Sequence, residues 1–247
     1  MIDNTTEKIK IFWTGGLDST FRLVQLLFTT KHIVEPHYIV RHEDSTGIEI
    51  DTMIQIRRAL TRKYPEVRSR FLPTVYVNEA YIPEFEDVKE EIEELKKKGK
   101  VAEQYLIMSN YCREYSIDKI EVALTRISGE KAFFTDFKNS PAFKSFTYPT
   151  VELTKKEMLS IAIKNKWDDI LFMTSFCRRP VNKLTPCGVC GPCVDAVASG
   201  MGSRFPLKAR IKAKLQIPFR NYYRKNYLKH NNSWFFRQIK RRFEHKF

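Results

Sequence analysis

Short apolar runs of strand type alternate with helical segments through the first two thirds of the chain, and that rhythm leaves few folds open. IKIFW at 9–13 is followed by the turn residues TGG and then by FRLVQLLF at 21–28, which is apolar on every side and reads as a buried helix. VEPHYIV at 34–40 reads as a strand, IDTMIQIRRALTRKY at 50–64 as an amphipathic helix, and LPTVYV at 72–77 as a further strand. EFEDVKEEIEELKKK at 84–98 places acids first and bases last, which suits the helix dipole and marks a solvated helix. A helix at 102–116 leads into a strand over DKIEVALT at 118–125, and Thr154 with Glu157 forms a capping-box pair opening a helix that runs to about Asn165. Parallel neighbours need crossover helices, so these units predict an α/β fold with a doubly wound, mainly parallel sheet.

The chain has 247 residues, 43% of them hydrophobic, enough for a sizeable core. No apolar run reaches the length of a membrane span, and MIDNTTEKIK lacks the apolar centre of a signal peptide, so a cytoplasmic location is expected. The formal charge of +14 is unevenly placed. Residues 204–247 hold 14 Lys plus Arg against one acid, Glu244, leaving 29 bases and 28 acids in the other 203 residues. The expected domain division follows that shift: 1–203 as a nucleotide-binding domain, 204–247 as a basic, aromatic-rich extension.

The turn after the first strand, TGGLDST at Thr14–Thr20, lies where open α/β sheets bind ligands. Gly15 and Gly16 permit positive φ and let the backbone approach an anion. Ser19 and Thr20 add hydroxyl donors at the positive end of the following helix, which attracts negative charge. Asp18 beside a phosphate calls for a cation, and Mg2+ is the natural bridge; the alternative is that Asp18 caps the helix. The string is neither G-x-x-x-x-G-K-[ST] nor G-x-G-x-x-G. It resembles the S-G-G-x-D-S motif of the PP-loop ATP pyrophosphatase superfamily, with Thr14 in the place of the first serine. The resemblance implies an adenine nucleotide alpha hydrolase-like fold, ATP held by Thr14, Gly15, Gly16, Leu17, Asp18, Ser19 and Thr20, and catalytic roles for Asp18 and Ser19. The implied reaction cleaves ATP between its α and β phosphates to give an adenylated substrate and pyrophosphate.

Cys177, Cys187, Cys190 and Cys193 read as C-x9-C-x2-C-x2-C. Two intervening residues let paired sulfurs reach one tetrahedral ion, and Gly188 and Gly191 allow tight turns there. Zn2+ in a closed structural site is expected; an iron-sulfur cluster and a redox or persulfide-carrying role are the alternatives. Cys112 stands apart and reads as a core residue.

A phosphate loop followed about 170 residues later by four cysteines resembles the 7-cyano-7-deazaguanine synthase family over residues 9 to about 200, and YPTVELTKKEML at 148–159 fits the same pattern. That likeness implies a ligase that activates a carboxylate with ATP on the way to an amide or nitrile of a 7-deazaguanine, with a homodimer as the common assembly. This chain departs from the family at Glu103 and Gln104, which fall where its Arg-Asn pair opens a helix. It departs again in RISGEKAFFTDFKNSPAF, which replaces the deazapurine-binding stretch. The alternatives are a PP-loop enzyme that modifies or thiolates tRNA and a non-catalytic nucleotide-binding subunit. Arg126, Lys131, Arg178 and Arg179 are candidate anion grips or ordinary surface charge, and neither His37 nor His42 is assigned catalysis. For 204–247, including WFFRQIKRRFEHKF, three readings are open: contact with nucleic acid, with an anionic membrane surface, or packing of the aromatics on the protein's own body or a second subunit.

Overall fold

The computed structural model describes residues 6–98, 101–125, 137–181 and 185–227. The chain forms two compact units, Met1–Ser175 and Phe176–Phe247. The first is an α/β unit. Its strands are β1 (Lys8–Phe12), β2 (Ile33–Val40), β3 (Val75–Asn78), β4 (Ile120–Glu121) and β5 (Phe146–Thr147), all parallel in the order β3-β2-β1-β4-β5. The helices are α1 (Leu17–Thr29), α2 (Thr46–Lys63), α3 (Glu86–Lys98), α4 (Gln104–Glu114), α5 (Lys155–Lys164) and the short α6 (Asp168–Leu171).

Side-chain alternation along β1 divides the core. Ile11 and Trp13 are fully buried, and the Trp13 ring meets Phe71 edge-on at 5.6 Å; α1 continues that layer, with Phe21 stacked on Trp167 at 5.7 Å. Phe12 points the opposite way, into a cluster with Ile92 of α3, Tyr105 and Tyr111 of α4, and Phe146 of β5. Because β1 buries both faces, its residues are apolar without interruption after Lys10, as a central parallel strand requires.

Proline placement explains two boundaries. Val34 donates to Arg70 O and accepts from Leu72 N, so the even-numbered residues of β2 face β3; Pro36 falls in the gap before pairing resumes at His37 and Val75. Its missing N–H therefore costs no ladder bond. Pro73 sits in the same gap on the other side, and the strand expected from residue 72 begins at Val75. The strand expected over 118–125 is shorter still. Ile120 and Val122 donate to Ser145 and Thr147, but Leu124 N turns back onto Val122 O and Leu124 O accepts from Thr150 Oγ1, so pairing stops after two residues. The helix expected from 50 starts at Thr46, whose hydroxyl donates to Arg41 O at 2.6 Å, and the capping box at Thr154 and Glu157 is present as expected.

The second unit contains α7 (Gly191–Ala198) and α8 (Leu207–Tyr227), and takes in both the cysteines and the start of the basic stretch. Arg126, Lys131, Trp234, Phe235, Phe236 and the WFFRQIKRRFEHKF segment lie outside the described residues. Among the described residues no helix is long and apolar enough to cross a membrane.

Where α1 passes β4, Arg22 pairs with Glu121 through Nε–Oε2 at 2.7 Å and Nη2–Oε1 at 2.8 Å, with side chains only 18% and 9% exposed. Removing one partner strands a poorly solvated charge. Glu121→Ala is expected to lower unfolding free energy by about 3 kcal/mol, read as a shift in denaturant midpoint at unchanged slope. An Arg22→Met, Glu121→Leu double variant is expected to recover most of the loss.

Candidate functional site

In the order 3-2-1-4-5 the first two crossovers lie on one face of the sheet and the connection from β3 to β4 on the other. The crevice between β1 and β4, at the carboxyl ends of the strands, is therefore the topological switch point. Thr14–Thr20 opens onto it. Gly15 has φ +69, and a Cβ there would meet Thr52 Cγ2 at 3.1 Å and Glu49 O at 3.3 Å; its carbonyl accepts from Ser175 N at 2.9 Å. The turn is thus clamped between α2 and the 174–175 segment, in a backbone conformation that favours glycine.

Gly16 is the N-cap of α1 with no side chain to satisfy the helix, and the first internal bond is Thr20 N to Gly16 O at 3.0 Å. The amides of Leu17, Asp18 and Ser19 precede that bond and carry the helix's partial positive charge. Two hydroxyls converge on the same point. Thr14 Oγ1 lies 3.5 Å from Ser19 Oγ and 3.4 Å from Gly16 N; Ser19 Oγ is 3.4 Å from both Thr14 N and Gly16 O. All four contacts are long for hydrogen bonds, so either hydroxyl can turn to a better acceptor at small cost. Thr20 is different: it is fully buried and accepts from the Trp13 indole at 3.0 Å, and Leu17 is buried too.

Asp18 Oδ2 is 3.5 Å from Lys155 Nζ, at the first residue of α5. The capping box beside it, Thr154 N to Glu157 Oε2 at 2.7 Å and Glu157 N to Thr154 Oγ1 at 3.2 Å, fixes where that helix begins. Burial pushes the phenol of Tyr105, in the first turn of α4, up to about 12. Lys155 was not among the residues singled out from sequence. The readable signal was a cation at the positive end of a capped helix, a position the dipole disfavours.

His37 is buried, with Nδ1 2.6 Å from Tyr111 Oη and Nε2 3.3 Å from Glu35 Oε2; burial lowers its pKa. His42 uses its backbone N–H on Glu79. Cys112 is a buried core residue whose thiol burial pushes up to about 12. Arg178 and Arg179 are exposed.

In the second unit the sulfurs of Cys177, Cys187, Cys190 and Cys193 all lie within 4.8 Å of one another. Backbone amides point at them: Cys187 N to Cys177 Sγ at 3.3 Å, Val189 N and Cys190 N to Cys187 Sγ at 3.4 and 3.3 Å. Hydrogen bonds from the Cys177 and Cys193 thiols hold Cys190 well below the usual thiol range. Donation to Cys190 in turn pushes Cys177 up to about 11. Such a donor set, four crowded sulfurs with amides supporting thiolate charge, fits a metal. A single tetrahedral ion with Zn–S bonds near 2.3 Å separates its ligands by about 3.8 Å. Cys187 and Cys193 stand 3.8 Å apart. Arg204, stacked over Phe176 at 4.6 Å and pulled down to about 10 by burial, carries positive charge near Cys193.

No protein-family model and no curated protein sequence matches the chain. Among solved structures one match is the U34-tRNA thiolase NcsA from Methanococcus maripaludis with its 4Fe–4S cluster, at 14% identity and a TM-score of 0.41, covering 99% of this chain and 74% of that one. A likeness of that degree transfers neither activity nor cluster.

Gly188, at φ +74, has Ala209 O only 2.2 Å from where a Cβ would be. Gly188→Ala adds strain of about 1–2 kcal/mol to a backbone clash. Purified Gly188→Ala protein is expected to carry well under one equivalent of metal by elemental analysis while retaining the α/β unit's circular dichroism.

Proposed function

We propose that this chain is an ATP-using enzyme of the PP-loop type that adenylates an oxygen of its acceptor and releases pyrophosphate. One observation carries the reading. At the sheet's switch point the N-terminus of α1, the loosely held hydroxyls of Thr14 and Ser19, and the Asp18–Lys155 pair converge on one place. Amides and hydroxyls there would take the phosphates that leave. Asp18 would hold Mg2+, which neutralises phosphate charge, and Lys155 would add a second cation. The acceptor oxygen bonds to the α-phosphorus as the bond from that phosphorus to the bridging oxygen breaks, and the electron pair departs on pyrophosphate. Positioning and charge neutralisation do the work, with no covalent enzyme intermediate.

In the first version the acceptor is a carboxylate, as 7-carboxy-7-deazaguanine would be. In a second it is the carbonyl oxygen of an RNA base, a reading favoured by the concentration of 14 bases in residues 204–247. The four cysteines would hold Zn2+ as a closed structural site, supported by the 3.8 Å sulfur separation.

With Mg2+-ATP labelled at the α-phosphate, AMP and pyrophosphate are the expected products; ADP and phosphate would end the proposal. Candidate acids and bulk tRNA supplied separately show which acceptor stimulates turnover. Asp18→Ala is expected to lower kcat/KM by about 100-fold or more, and Lys155→Ala by about 10-fold. The zinc assignment predicts a colourless protein with one zinc and no inorganic sulfide; a brown protein containing iron and sulfide refutes it.

A further inference from the structure

Helix α8 has two sides that answer to different surroundings. Ala209, Ala213 and Ile217 recur at four-residue spacing on the side packed within the second unit. Ala213 is fully buried there, and the backbone of Ala209 closes on Gly188. Arg220, on the same side, binds Asp195 of α7 through two 2.6 Å contacts. At 100° per residue the opposite side carries Leu207, Ile211, Leu215 and Phe219, again four apart. They are 62%, 49%, 67% and 76% exposed.

The same arithmetic sets Lys208 and Lys212 along one margin of this stripe and Lys214 along the other. No Asp or Glu occurs anywhere from Leu207 to Tyr227. An apolar stripe bordered by lysines suits an interface where acyl chains meet anionic headgroups. The apolar groups enter the boundary layer while the long lysine stems reach outward to the phosphates. Other occupants fit less well. A second copy of the chain would set lysine margin against lysine margin. Single-stranded nucleic acid stacks on aromatic rings and gains nothing from Leu207, Ile211 and Leu215. The helix is too polar to cross a bilayer.

We propose that the exposed side of α8 is a docking surface for an anionic lipid bilayer, with Leu207, Ile211, Leu215 and Phe219 entering the headgroup boundary and Lys208, Lys212 and Lys214 contacting the lipid phosphates. The attachment is peripheral and reversible, and it goes beyond the nucleotide chemistry of the first unit.

Flotation of the full chain with vesicles tests this. Wild type is expected to float with phosphatidylcholine vesicles containing phosphatidylglycerol and to remain behind with phosphatidylcholine alone. An Ile211→Ser, Leu215→Ser double variant and a Lys208→Gln, Lys212→Gln, Lys214→Gln triple variant should each lose anionic-vesicle binding by roughly tenfold or more. Melting temperature and metal content should stay unchanged, because these side chains are exposed; Leu207→Ser gives a milder version should the double variant misfold. Unaltered flotation of the serine variants overturns the proposal, as does equal binding to neutral vesicles. Lysine-dependent RNA binding without vesicle binding reassigns the helix to nucleic acid, and a dimer that dissociates on Leu215→Ser reassigns it to a second copy.

Discussion

Beyond the last residue of β1, the Trp13 indole N–H donates to Thr20 Oγ1 across 3.0 Å in a fully buried setting. A buried polar pair of this kind is expensive to break, because either partner alone would be desolvated without compensation. The bond holds the first turn of α1 against the strand end, with six intervening residues that Gly15 folds through positive φ. The direction of the helix, and hence of its unbonded first amides, is set there. Thr20 thus serves the loop by bracing it from beneath, while Thr14 and Ser19 present their hydroxyls above.

That brace is useful only because of the strand order. β1 is central and parallel to both neighbours, so its carboxyl end is flanked by loops that depart to opposite faces. The Arg22–Glu121 pair ties α1 to β4 across that boundary. α5 brings Lys155 to Asp18 from the far side. At the carboxyl edge of the sheet a polyanion can thus be met by fixed dipoles and charges in place of water.

Much of the α/β unit was readable from periodicity, because β1, β2, α1 and the Thr154 cap each express a local rule that the tertiary structure does not override. Boundaries failed where the deciding partner is remote. The end of β4 depends on Thr150 capturing Leu124 O, and the start of β3 on two prolines facing each other across a gap. The glycine-rich turn was legible as a string, but the division of labour within it was not, since only the fold shows Thr20 inside and Ser19 at the rim. Lys155 was hidden by its distance in sequence from Asp18. The four cysteines were legible as a group from their spacing, and their sulfurs do come together in the fold.

Gly188 connects the cysteines to a more distant part of the second unit. Its missing side chain lets the turn between Cys187 and Cys190 rest directly on the backbone of Ala209, and further along the same side of α8 Arg220 binds Asp195 of α7, the helix that follows that turn. The sulfur-bearing turn and α8 therefore pack backbone against backbone, with no side chain between them. Loss of an ion from the proposed cysteine site would do more than empty it: it would slacken the turn on which the helix rests, and with it the way the outer side of that helix is offered to its surroundings.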